Sequence, residues 1–161
     1  MATDFRDMAA RAKEAFEARE AKRSMDFDLG AKALRSYVLP VLNRAKAEFA
    51  EAGIQSSVVE ENFDAKDDAD PFVSFSCWFM WEDDECGGQW MVTRGETVCF
   101  SSGGGSIRAY VASRESKWHP GETLGTANAQ VCEPLISAAI ERALANYFDA
   151  LATLGKKIRE W

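Results

Sequence analysis

From Pro71 to Ser113 the chain reads as short runs of β-branched and aromatic residues with a side-chain period of two, and nothing else in it narrows the fold as much. The runs Pro71–Trp81, Gln89–Arg94, Thr97–Ser102 and Ser106–Ser113 are joined by connections of seven, two and three residues (82–88, 95–96 and 103–105). A parallel crossover needs a dozen or more residues, so these strands pair antiparallel, as a meander. Gly95-Glu96 predicts a two-residue hairpin loop. Gly103-Gly104-Gly105 predicts a turn with positive φ. Ile54–Glu60 adds a short strand ahead of an acidic loop, so four to five strands are expected.

The period is helical on either side of this region. Residues 4–23 place Phe5, Met8, Ala12, Ala15 and Phe16 at helical spacing. Asp4 and Asp7 stand at the start of that stretch and Lys22-Arg23 at its end, as the helix dipole favours. Its apolar face is narrow and alanine-rich, which predicts docking against a neighbour or a second copy of the chain. A second helix is expected over 28–52, with Leu34, Val38, Val41, Leu42, Ala45 and Phe49 on one side and Gly53 as its stop. Pro40 either kinks it or restarts it from a first turn. Residues 115–130 read as a polar loop. Residues 133–154 form the strongest helix, with Pro134 in its first turn, Gly155 at its end and a wide stripe from Ile136 to Leu154.

The expected fold is α+β in a single 161-residue domain: a helical segment (1–53) holding two N-terminal helices, an antiparallel sheet (54–113), and a long C-terminal helix (133–155) packed on it. Hydrophobic residues make up 47% and charged residues 28%, which excludes disordered and fibrous classes. The longest apolar run, Cys77–Trp81, is far short of a membrane helix. Met1–Phe16 carries Asp4, Asp7 and Glu14 and lacks an apolar segment, so no export signal is expected. Cys77, Cys86, Cys99 and Cys132 contain no CxxC pair and are expected as reduced thiols in the cytoplasm. Net charge is −7, and the excess acid lies in 60–70 and in Glu82-Asp83-Asp84-Glu85. No basic stretch stands out, so nucleic acid is not an expected partner.

Alternation divides the strands into two faces. One collects Val73, Phe75, Cys77, Phe79, Trp81, Trp90, Val92, Val98, Phe100, Ile107, Ala109 and Val111, an apolar layer for the C-terminal helix to cover. The other collects Phe72, Ser74, Ser76, Trp78, Met80, Gln89, Met91, Thr93, Thr97, Cys99, Ser101, Arg108, Tyr110 and Ala112. Aromatic, Met and Arg side chains set among small polar ones are typical of interface cores. Trp78, Met80, Met91, Cys99, Arg108 and Tyr110 are therefore the candidate binding residues. Three readings compete: a second packing layer beneath the N-terminal helices, a protein interface or homodimer contact, and a small-molecule cavity between sheet and helices with Arg108 facing an anion.

No catalytic signature accompanies these residues. His119 is the single histidine, and Cys86 follows four acids, which oppose the lowered pKa a nucleophilic thiol needs. Asp64, Asp67, Asp68 and Asp70 lack the spacing of an EF-hand, and no zinc pattern exists, so no metal and no cofactor is expected. Gly103–Gly105 lacks the Lys-Ser/Thr of a phosphate loop. The expected function is a non-catalytic protein-binding domain of adaptor, chaperone or inhibitor type. The alternative is a small-ligand site or an enzyme built around Arg108, Tyr110 and Trp78.

Overall fold

The computed structural model describes residues 2–64, 70–83, 87–113 and 120–159. It is α+β, with a helical N-terminus, a six-stranded antiparallel sheet and a C-terminal helix. The first helix, α1 (Phe5–Ala33), begins at Asp4, whose carboxylate accepts the Arg6 amide at 3.0 Å and so satisfies one of the helix's free donors. It runs without a break through 24–27 into a π-helical turn (Leu34–Val38) and then α2 (Leu39–Glu51). Pro40 accounts for that turn. It has no amide to donate to the preceding turn, and the Leu39 amide bonds the Leu34 carbonyl instead, widening one turn and letting the helix continue.

Every residue from Ala2 to Asp26 is exposed, so among the described residues the first turns of α1 add no side chain to the buried core. Docking begins near Gly30, where an added Cβ would lie 3.7 Å from the Ser102 carbonyl.

The strands are β1 (Gln55–Glu61), β2 (Phe72–Asp83), β3 (Gln89–Arg94), β4 (Val98–Gly103), β5 (Ser106–Ala112) and β6 (Pro120–Asn128). Their order is β1-β2-β4-β5-β6, with β3 pairing β2. The long β2 therefore has two partners on one edge: β4 along Phe72–Phe75 and β3 along Trp78–Asp83. This corrects the hairpin expected at Gly95-Glu96. β3 and β4 do not pair with each other; they follow one another along β2, with Gly95–Thr97 spanning the gap. The expected polar loop over 115–130 is corrected as well, because 120–128 forms β6 and Ala129–Val131 a 3-10 turn. The final helix, α3 (Glu133–Arg159), continues through Gly155 rather than stopping there.

One apolar core joins the two layers. Val73, Phe75, Cys77, Phe79, Val98, Phe100, Ile107, Ala109 and Val111 meet Leu34, Val38 and Leu42 from the N-terminal helices and Ile136, Ala139, Ile140, Ala143 and Tyr147 from α3. The N-terminal helices and α3 thus share one face of the sheet, instead of lying on opposite faces. Phe75 and Phe100 are the largest side chains with no exposure, and each contributes roughly 1.5–3 kcal/mol by leaving water. Three ion pairs brace the rim: Arg44 to Glu133 joins α2 to α3, and Arg142 of α3 reaches both Glu96 in the β3–β4 gap and Glu122 in β6.

Candidate functional site

Strand register builds the opposite face row by row. Gln55, Trp78 and Arg94 form one row, Met80 and Val92 the next, and Glu82 and Trp90 the last. In the other direction Ser57 lies beside Ser76. Val59, Ser74, Cys99, Tyr110 and Thr123 then form a row across five strands. No helix contributes to the buried cluster here, which consists of Phe72, Cys99 and Tyr110 with Ala112 against them. The expectation that the N-terminal helices cover this face is thereby corrected. Trp78, Arg108 and Tyr110 are on the side without helices, so they do not line a cavity between sheet and helices.

This face has a buried half and an exposed half. In the buried half Phe72, Ser74, Cys99 and Tyr110 are each below one-tenth exposed. Burial pushes the Tyr110 hydroxyl well above its usual pKa, and the neighbouring Cys99 thiol adds to the shift. Arg108 acts in the opposite direction. Its guanidinium sits 5.6 Å from the centre of the Tyr110 ring and donates to the Thr123 hydroxyl at 3.0 Å. Arg108 is thus held by its neighbours at the surface and does not face an enclosed anion site.

In the exposed half Met80, Trp90 and Val92 are 53%, 64% and 52% exposed. Arg94 reaches back to the hydroxyls of Ser57 (3.4 Å) and Ser76 (3.5 Å). Trp78 is partly buried beside it, and its indole N–H has no acceptor among the described residues.

β3 carries the main correction to the candidate residues. Its pairing sets Trp90, Val92 and Arg94 on the face without helices and Gln89, Met91 and Thr93 on the helix side, the reverse of the sequence reading. Met91 therefore leaves the candidate set. On its own side it stands beside Trp81, whose indole N–H donates to Thr93 at 3.0 Å. Trp90, Val92 and Arg94 enter the set. The signal that could have found them is the run of three successive apolar residues at 90–92, which one buried face cannot absorb.

The three described thiols are free and buried. Cys77 has no exposure, and burial pushes its pKa up to about 11. Cys99 belongs to the buried cluster above, and Cys132, also buried, points its sulfur at the Tyr37 carbonyl 3.9 Å away. Cys86 and His119 lie outside the described residues. Among the described residues no group of three His, Cys, Asp or Glu side chains is placed to hold a metal ion, and no helix is long and apolar enough to cross a membrane. A groove of about 1280 Å³ runs between the C-terminal half of α1 and the β4–β5 turn, with Arg19, Arg23, Asp26 and Asp28 in its walls. Charges of both signs at such close spacing favour no single ligand class. No family pattern, characterised protein or solved structure matches the chain, so its own geometry carries the functional reading.

Proposed function

We propose that this chain is a non-catalytic protein-binding domain and that its binding surface is the exposed half of the sheet face without helices. The supporting observation is the cluster of Met80, Trp90 and Val92, each more than half exposed, beside Trp78 and Arg94. Large apolar side chains with an arginine among them are the composition of interface anchors. Exposed apolar patches of this kind on soluble domains mark interaction sites.

The test uses Met80→Asp and Trp78→Ala, with circular dichroism as the check on folding. Both variants should keep the wild-type far-UV spectrum and lose capture of a protein that the wild-type chain retains from lysate. Capture undiminished in both variants overturns the reading. Tyr110→Ala does not serve here, because Tyr110 is part of a buried cluster and its loss reads as stability.

A further inference from the structure

The outer strands β1, β6 and β3 leave free edges among the described residues, as does Phe79–Asp83 of β2, which ends in Glu82 and Asp83, and they are not guarded alike. Exposed edges invite pairing with another chain, and proteins blunt them with charge, proline, bulges or covering elements. β1 carries Glu60 and Glu61 and packs beneath α2. β6 opens with Pro120, carries Glu122 and is offset from β5 by two register shifts. β3 has none of these devices. Its sequence is Gln-Trp-Met-Val-Thr-Arg, it pairs with β2 without a bulge, and its single charge is Arg94 at the end.

The backbone of β3 is turned for pairing. The Gly95 amide donates to the Cys77 carbonyl at 2.9 Å, so Cys77 and Gly95 occupy a hydrogen-bonded position of the β2–β3 ladder. Such positions alternate in an antiparallel pair. Thr93 and Met91 therefore bond inward to β2, whereas Arg94, Val92 and Trp90 direct their N–H and C=O groups outward, at the free edge.

We infer that β3 pairs antiparallel with β3 of a second copy of this chain, about a two-fold axis through Val92. In that register Val92 faces Val92, and Trp90 of one copy faces Arg94 of the other. All the outward backbone groups then bond directly, about six hydrogen bonds in total. The side chains match as well. Arg94 comes to lie between its own Trp78 and the other copy's Trp90, a cation between two aromatic faces, with Glu82 of the other copy beyond. The cationic end of each strand meets the aromatic and acidic end of its mate, so the contact is self-complementary, as a two-fold interface requires. Five paired residues bury less than a standard interface, and the dimer is accordingly weak and concentration-dependent.

Pairing at this edge uses backbone groups and does not need the Met80 side chain. Met80→Asp therefore leaves dimerisation intact while removing capture of a different protein, and the two readings fail separately. Sedimentation equilibrium tests the dimer, with the mass expected to rise from 17.8 kDa toward twice that value as the chain approaches roughly 1 mM. Val92→Pro deletes an outward donor at an edge position, where proline is tolerated, and should stay monomeric with an unchanged far-UV spectrum. A wild-type chain that remains at 17.8 kDa throughout, or a folded Val92→Pro that dimerises equally, overturns the inference. Should Val92→Pro unfold, Val92→Cys still decides the register. Opposed hydrogen-bonded positions are about 5.5 Å apart at Cα, within disulfide reach. Val92→Cys should cross-link on mild oxidation faster than Met91→Cys, and equal rates overturn the register.

Discussion

Replacing Gly95 with alanine tests the element that organises this sheet. Gly95 lies in the gap between β3 and β4, where α3 crosses it. A Cβ at this position would sit 3.1 Å from the Tyr147 amide nitrogen, 3.2 Å from its Cα and 3.3 Å from the Asn146 carboxamide oxygen. Carbon contacts are comfortable near 3.5–4.0 Å. Two of the three atoms are helix backbone and cannot rotate away, so the helix or the gap must move by a few tenths of an ångström. The third already accepts the Glu96 amide at 2.6 Å, and moving it loosens that bond. Overpacking of this kind costs about 1–3 kcal/mol. A weakened hydrogen bond adds up to about 1 kcal/mol, and the smaller entropy of the unfolded alanine chain returns about 0.4–1 kcal/mol.

The net expectation for Gly95→Ala is a loss of about 2 kcal/mol, or a melting point lower by roughly 4–8 °C for a chain of this size. Urea denaturation followed by circular dichroism measures it, with the slope m unchanged. Gly103→Ala is the internal control. It sits in a strand of the same sheet, needs no positive φ and meets nothing within 4 Å, so it should be neutral or slightly stabilising. If Gly95→Ala is as stable as wild type, or if Gly103→Ala loses as much, the close approach of α3 to the β3–β4 gap is wrong.

Two further outcomes follow from the packing. Gly155 lies inside α3 with open space around it, so Gly155→Ala should stabilise the chain by about 0.5–1 kcal/mol in thermal melts; a loss of stability would refute its place in a helix. Stability should also fall in alkali. The buried Cys77 thiol holds its proton to about pH 11, whereas an unfolded thiol releases it near 8.5–9, so above pH 9 the unfolded state binds fewer protons and gains ground. That stability is present in full below pH 9 and lost as pH rises through about 11. Burial shifts Tyr110 and Cys132 in the same direction. Urea midpoints from pH 8 to 11 should decline, and less steeply in Cys77→Ala; parallel slopes would remove Cys77 as a cause.

The strongly patterned elements were legible in the sequence because their own residues specify them. Pro71–Trp81 became β2, and the alternation from Val73 to Phe79 pointed at the core as read. The stripe from Ile136 to Tyr147 likewise packs on the sheet. Elements whose state depends on neighbours were not legible. β6 contains Pro120, Gly121 and Gly125, poor strand formers that an edge position tolerates. Gly155 reads as a stop, yet propensity of about 1 kcal/mol does not end a helix already held along its length. At β3 the alternation was inverted because burial does not sort its residues. Trp90, Met91 and Val92 are all at least 40% exposed, so their hydrophobicity carries no information about which face is inside, and the ladder with β2 decides it. The candidate site therefore moved by one residue along one strand, from Met91 to Trp90 and Val92.

That same inability to sort is what gives β3 its significance. The N-terminal helices and α3 occupy one face of the sheet; on β2 the fully packed core ends at Phe79, which meets the Tyr147 ring edge-on at 5.7 Å, with Trp81 partly buried against it. Beyond it the β2–β3 ribbon extends with Met80, Trp90 and Val92 exposed on one side and Met91 on the other. A two-stranded ribbon is marginal in water by itself, and burying apolar side chains is what normally supports one. Among the described residues, Met80, Trp90 and Val92 lack that burial. Either occupant considered above supplies it: a second β3 extends the ribbon to four strands, and a protein seated on the exposed face covers Met80 and Trp78. Both therefore predict that the ribbon amides exchange with solvent more slowly in the complex than in the free chain, and exchange unchanged on binding would mean that the ribbon takes no part.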